Sequence, residues 1–215
     1  ILNSKVCGVS LEENELSHFK ILKNHEIVEH NIIDILDYSI LEKKIYEFHP
    51  DIIIHFAAQP FVRLSYEKPI KTISTNVIGT SNILDIAKKI ETKPFVAIIT
   101  SDKCYENNER NIPFKEDDRM GGHDVYSASK GACELIVKSF AKSFYIPNRQ
   151  KVISLRAGNV IGGGDWGQDR LFTDLINSLV NKNSLVLRNP NSIRPWQHIL
   201  DVLSGYLSAI IYHYN

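Results

Sequence analysis

Short runs of β-branched and aromatic residues alternate with stretches of helical periodicity along most of this chain, and that rhythm constrains the fold more than any other feature. Asp51 to His55 reads as a strand, and Phe95 to Ile99 is an apolar run without a break. A strand of that kind is buried on both faces, the condition of a parallel sheet covered by helices. Lys5 to Val9, Glu26 to Asn31 and Val152 to Leu155 read as further strands. Between them, three segments read as amphipathic helices: Tyr38 to Phe48, one aligning Val77, Thr80, Leu84 and Ala87, and one aligning Ala132, Ile136, Phe140 and Phe144. The βαβα order predicts an α/β, Rossmann-like doubly wound parallel sheet. Beyond Trp166 the rhythm weakens into a helix from about Gln168, a short strand around Leu185 to Leu187, a loop at Arg194-Pro195-Trp196 and a closing helix. Residues 1–167 and 168–215 are therefore read as two regions.

Several function classes drop out on charge. Lys and Arg number 25 and Asp and Glu 25, with no polybasic block, so no electrostatic footprint for nucleic acid or an anionic membrane is expected. Cys7, Cys104 and Cys133 are widely separated, which suggests neither a disulfide framework nor a zinc site. No apolar stretch approaches a bilayer span. A reduced, cytoplasmic setting is expected.

The chemistry concentrates where strand gives way to helix. Thr100-Ser101-Asp102-Lys103-Cys104-Tyr105 closes the Phe95 to Ile99 run, and Tyr126-Ser127-Ala128-Ser129-Lys130 opens the next helix. Ligands of open α/β sheets collect at such strand ends. Tyr126 and Lys130 stand one helical turn apart on one face, where the ammonium can lower the phenol's pKa and let it act as a base near neutral pH. Asp102 can serve as an acid only if burial or a neighbouring charge raises its pKa, and Lys103 as a base only if its own is depressed. The competing reading of Asp102 and Lys103 is a solvated loop, and that of Tyr126 an amphipathic residue with a wet phenol. His55 reads as a satisfied residue at a strand end.

These segments resemble the extended short-chain dehydrogenases that act on nucleotide sugars, and within them the CDP-glucose 4,6-dehydratase branch. The resemblance runs through His55 to Pro60, Thr75 to Thr80, Thr100 to Asn107, Met120-Gly121-Gly122-His123-Asp124 with Tyr126 to Lys130, Arg156 to Trp166, and Arg188 to His198. It implies a lyase with NAD as cofactor: hydride leaves C4 of the sugar, water is eliminated across C5 and C6, and hydride returns to C6. Tyr126 with Lys130 would be the base for the C4 hydroxyl, Ser101 would share that proton path, Asp102 would be the acid for the leaving hydroxide, and Lys103 would either remove the C5 proton or orient the sugar. Related dehydratases carry Glu at the position of Lys103. Asp34 and Ile35 match positions that contact adenine, Ala57, Ala58 and Gln59 those beside the pyrophosphate and ribose, and Asn76 the residue behind the nicotinamide half. Asn159 resembles a residue near the substrate diphosphate, with Arg170, Arg194 and His198 as further substrate candidates and Arg194 favoured over Arg170. Residues 1–167 would be a partial NAD-binding domain and 168–215 part of a substrate-binding region.

The resemblance implies CDP-glucose as partner, a role in deoxysugar synthesis for surface polysaccharide such as O-antigen, and a homodimer through the helices near 77–90 and 125–145. The stripe Ile136, Phe140 and Phe144 fits packing on the sheet equally well. The family's glycine-rich fingerprint and its strand are absent from the sequence, and the substrate lobe is short, so an incomplete fold and a fragment of a longer enzyme are expected. Two other readings stay open: an epimerase or reductase on another nucleotide sugar, and a catalytically silent nucleotide-binding remnant.

Overall fold

The computed structural model describes residues 4–12, 17–109, 112–167, 169–187 and 189–214, with His25 described in its backbone alone. Gln168 and Arg188, both used in the sequence reading, lie outside them. Contacts divide the chain into one unit of residues 1–32 and 158–205 and another of 33–157 and 206–215.

The first unit opens with β1 (Cys7–Ser10), α1 (His18–Ile21) and β2 (Glu29–Ile32), and β1 and β2 pair in parallel with Cys7 opposite Glu29. The sequence suggested a strand from Glu26, but Lys23 turns left-handed at φ 52° and Asn24–Glu26 close a 3-10 turn, which delays the ladder.

The second unit begins with α2 (Tyr38–Phe48), capped by Asp37, whose carboxylate accepts the Ile40 N–H, and ended by His49 at φ 49°. β3 (Ile52–His55), α3 (Val62–Glu67) and α4 (Pro69–Ile73) follow. A π turn, Ser74–Ile78, joins α4 to α5 (Gly79–Ala87). Then come β4 (Phe95–Ile99), a 3-10 turn at Asp102–Cys104, α6 (Val125–Phe140) running into a second π turn, and β5 (Val152–Leu155). The three strands form a parallel sheet in the order β3-β4-β5, with Ile52 opposite Phe95 and Val96 opposite Val152.

The chain then returns to the first unit with β6 (Asn159–Ile161), α7 (Leu171–Val180), β7 (Trp196–His198) and the opening turns of α8 (Ile199–Tyr214), whose last turns belong to the second unit. β6 and β7 pair in parallel across the position where the sequence was divided at 167/168, so the units do not follow that division. No ladder forms at Leu185 to Leu187 among the described residues, where Val186 is 82% exposed.

Helices cover both faces of the second unit's sheet, the doubly wound arrangement the sequence predicted. Phe95 and Ala97 pack with Ile210 of α8 and with Ile153 and Leu155. Alternation along the strands turns Val96, Ile98 and Ser154 to the opposite face, where α5 and α6 lie. Each buried Val, Leu or Ile there is worth about 1.5–3 kcal/mol. α6 buries Tyr126, Lys130, Cys133, Glu134 and Val137, whereas along the Ile136, Phe140 and Phe144 stripe the first two are half-buried and Phe144 is 39% exposed.

Candidate active site

α6 is positioned by its own first turn. Asp124, the N-cap, accepts the Ser127 N–H and hydroxyl, each at 2.8 Å, which fixes the helix start at Val125, one residue before Tyr126. Two glycines let the helix sit close to its neighbours. A Cβ on Gly122 would lie 2.4 Å from Ser127 Cβ and 2.7 Å from Ala128 N, and one on Gly131 would lie 3.2 Å from the Cys104 carbonyl. The 3-10 turn carrying Asp102 and Lys103 therefore packs directly on α6.

Within this arrangement Tyr126 and Lys130 are both buried, with the Lys130 ammonium 6.0 Å from the Tyr126 ring centre and 3.4 Å from the Ile99 carbonyl. Burial holds the Lys130 pKa below the ordinary lysine range. Ser101 caps the turn: its hydroxyl accepts the Lys103 N–H at 3.2 Å and donates to Asp102 at 3.1 Å. The Asp102 N–H donates to the Ala157 carbonyl, and Asp102 and Lys103 are half-buried. Ser101, Asp102, Lys103, Tyr126 and Lys130 are thus on two elements in contact.

The expected cofactor residues lie in the same unit, and several are engaged inward. Asn76 is 1% exposed; its Oδ1 accepts the Gln59 N–H at 2.8 Å and its Nδ2 donates to the Gln59 carbonyl and to Ser129 Oγ. Ser129 in turn donates to the Tyr126 carbonyl. Asn76 therefore staples the segment after β3 onto the turn of α6 between Tyr126 and Lys130. Gln59 folds onto its own turn, accepting the Phe61 N–H and donating to the Phe61 carbonyl and Thr72. Ala57 and Ala58 remain half-buried, small side chains on a backbone held from behind. Asp34 is exposed and accepts the Leu36 N–H, whereas the Ile35 side chain is buried where a Cβ on Gly79 would meet it at 2.3 Å.

Beneath this segment His55 sits at the end of β3 against Thr80, 3.2 Å from its hydroxyl oxygen. Thr80 donates its proton to the Asn76 carbonyl at 2.6 Å, so His55 Nε2–H must be the donor to Thr80. Burial first, and then the Lys130 charge, lower the His55 pKa to about 4.

The proposed substrate residues belong to the other unit. Asn159 and His198 lie in the β6–β7 ladder, where Asn159 is opposite Trp196 and Ile161 opposite His198, so the two side chains share a face. Arg170 pairs with Asp165 at 3.7 Å, and Arg194 is exposed and donates to the Ile193 carbonyl. Gly162 to Gly164 form a turn with Gly164 at φ 81°.

Sequence reasoning passed over one cluster. Glu134, four residues beyond Lys130, is buried and accepts from Thr100, from Ser154 at 2.8 Å and from Arg156 at 2.7 Å. Burial opposes its charged form, but the bonds from Arg156, Thr100 and Ser154 outweigh that and hold its pKa below the ordinary carboxylate range. The one sequence signal was a glutamate at helical spacing from Lys130 on the face that also carries Tyr126.

The family model described as GDP-mannose 4,6 dehydratase matches residues 5–213. A CDP-glucose 4,6-dehydratase from Salmonella typhimurium is 48% identical over 89% of this chain and 55% of its own length. A dTDP-D-glucose 4,6-dehydratase from Dictyostelium discoideum is 30% identical over 80% of this chain and 41% of its own. The chain thus spans about half the length of these curated relatives. Among solved structures, a dTDP-glucose 4,6-dehydratase from Streptomyces venezuelae with NAD bound superposes with a TM-score of 0.85 at 20% identity, over 98% of this chain and 63% of that one. A UDP-glucuronic acid 4-epimerase from Bacillus cereus, in complex with UDP-glucuronic acid and NAD, gives 0.79 at 23% identity, over 96% and 65%. At these identities the superpositions speak to the fold, which is that of the dehydratases and epimerases.

Proposed function

The chain belongs to the GDP-mannose 4,6-dehydratase family, and from that premise we propose that it serves a 4,6-dehydration of CDP-glucose to CDP-4-keto-6-deoxyglucose. One observation carries the reading: the turn bearing Asp102 and Lys103 packs on the helix bearing Tyr126 and Lys130, in a chain 48% identical to a CDP-glucose 4,6-dehydratase. Tyr126 takes the proton of the C4 hydroxyl, with Ser101 hydrogen-bonded to the same oxygen and the Lys130 ammonium supplying the neighbouring positive charge. Asp102 protonates the departing C6 hydroxyl, and Lys103 either removes the C5 proton or orients the sugar. NAD, when bound, would supply the hydride-transfer chemistry that links C4 and C6 of the sugar.

The residues present fit that cofactor. Asp34, exposed beside the buried Ile35, would serve the adenosine end, and the small side chains of Ala57 and Ala58 would let the backbone approach the pyrophosphate. Gln59 and Asn76 shape that segment from behind. For the substrate's nucleoside diphosphate the candidates are Asn159, His198 and the guanidinium groups of Arg170 and Arg194, whose fixed fork suits phosphate oxygens. On this reading residues 1–167 chiefly bind NAD and 168–215 chiefly bind substrate.

The same reading places the protein in the cytoplasm, in deoxysugar synthesis for surface polysaccharide such as O-antigen, as a homodimer. Among the described residues no helix is long and apolar enough to cross a membrane. What supports a dimer is the half-exposed stripe Ile136, Phe140 and Phe144, together with Ile78 at the end of the first π turn, 50% exposed. Sedimentation of the protein and of a Phe144→Lys variant tests this; equal monomer masses for both would refute it.

A 4-epimerase is the second reading, and Asp102 is the residue that counts against it, since epimerisation needs no acid for a leaving hydroxyl. Incubation with CDP-glucose and NAD, followed by the alkali-dependent absorbance of a 4-keto sugar, separates the two. A Tyr126→Phe variant is expected to lose turnover. Tight binding of CDP-glucose with no keto product would overturn the dehydratase reading.

A further inference from the structure

The turn that carries Asp102 and Lys103 is held at both ends by one ion pair. Thr100, one residue before Ser101, donates its hydroxyl to Glu134 Oε1. Tyr105, the residue after Cys104, accepts from Arg156 Nη1 at 2.7 Å, and Arg156 Nη2 donates to Glu134 Oε2 at 2.7 Å. The side chains are 17% and 5% exposed, so water competes little for either charge. Glu134 lies one turn beyond Lys130 and two beyond Tyr126, on the buried face of α6. Its second oxygen also takes the Ser154 hydroxyl from β5. One carboxylate therefore bonds α6 to the ends of two adjacent strands, and its guanidinium partner extends that bond past the turn.

Arg156 continues outward. Nη1 also donates to the Glu116 carbonyl at 3.0 Å, and the guanidinium carbon stands 5.1 Å from the centre of the Tyr105 ring. That ring stacks on Phe114 at 4.7 Å with an interplanar angle of 6°. The segment between returns at an antiparallel bridge of Tyr105 with Met120 and a hydrogen bond from the Glu106 N–H to the Arg119 carbonyl.

We infer that Glu134, Arg156 and Tyr105 are positioning residues: through Thr100 and Tyr105 the pair sets where the Asp102–Lys103 turn stands against Tyr126 and Lys130. This rests on the dehydratase reading for its catalytic meaning and on geometry alone for its structural one. Neither member touches the reacting sugar in this scheme. Both act by fixing groups that do, and misplacement of such groups by about 1 Å can cost about 100-fold in rate.

The experiment uses Tyr105→Phe, Glu134→Gln and Arg156→Lys in the full chain. Tyr105→Phe deletes only the acceptor of Arg156 and keeps the ring stacked on Phe114, so it remains informative if the two buried variants fail to fold. Expected is a kcat lowered about 10- to 100-fold with KM for CDP-glucose within about twofold. Hydrogen exchange is the arm independent of turnover: Tyr105→Phe is expected to speed amide exchange at 101–104 and at 126–130. Exchange that changes only within 105–120, or a kcat per folded site equal to that of the unaltered protein, would overturn the inference. If the unaltered protein does not convert CDP-glucose, the dehydratase reading fails by itself, and the exchange pattern alone decides on positioning.

Discussion

His55 offers the sharpest test of how this site is built. Its pKa falls from the ordinary 6.5 to about 4, chiefly because burial disfavours the imidazolium and further because Lys130 is nearby. The folded protein therefore keeps His55 neutral, while the unfolded chain protonates it as pH falls below the unfolded value. Stability from this residue is fully present above pH 6.5 and is lost as pH falls toward about 4. The two values differ by about 2.5 units, so the whole window is worth roughly 3 kcal/mol at about 1.4 kcal/mol per unit. Between about pH 7.5 and about pH 5.5 the linkage relation assigns His55 a loss of roughly 1.3 kcal/mol. Urea unfolding of the chain and of His55→Gln at both pH values measures it. Gln can still donate to Thr80 but does not titrate, so the variant should lose about 1 kcal/mol less than the parent over that interval. Identical pH slopes for the two proteins would refute the claim that this imidazole is held neutral by its surroundings.

Other consequences follow from the same contacts. Asn76→Ala leaves the Gln59 N–H and carbonyl without their side-chain partner in a buried setting, and should cost about 2–4 kcal/mol in urea unfolding; a loss under about 0.5 kcal/mol would mean that water replaces the amide. Gly122→Ala drives a methyl into Ser127 and the Ala128 backbone, so a loss of about 1–3 kcal/mol is expected, read as a lowered Tm. Burial pushes the Cys104 thiol up to about 12 and also raises Cys133. Both should resist alkylation near pH 8 in the folded protein, while the half-buried Cys7 reacts; mass spectrometry after timed labelling gives the order.

Much of the architecture was legible because its signals are local. Tyr38 to Phe48 and Phe95 to Ile99 have the bounds the pattern predicts, since a capped amphipathic helix and a doubly buried strand are written in consecutive residues. Pairings were not legible. Trp196–His198 is a strand because Asn159–Ile161 lies beside it, and nothing near Pro195 announces that partner. Which face α6 turns inward was not legible for a related reason: its buried face carries Lys130 and Glu134, which a hydrophobicity pattern assigns to solvent.

The site divides in the same way. Tyr126, Lys130, Ser101 and Asp102 stand out as candidates because motif and spacing place them at a strand end and a helix start. Their support could not be picked out, because Ser129, Glu134 and Arg156 acquire meaning only from partners 22 to 53 residues away, and Asn76, named through the resemblance, shows its bonds to Gln59 and Ser129 only in the fold. The amino-acid order determined which segments become strands and helices and where reactive groups fall along them, through backbone preference and periodic burial. Tertiary structure alone decided which buried charges meet, since a carboxylate or guanidinium tolerates the interior only where distant chain segments deliver its partner.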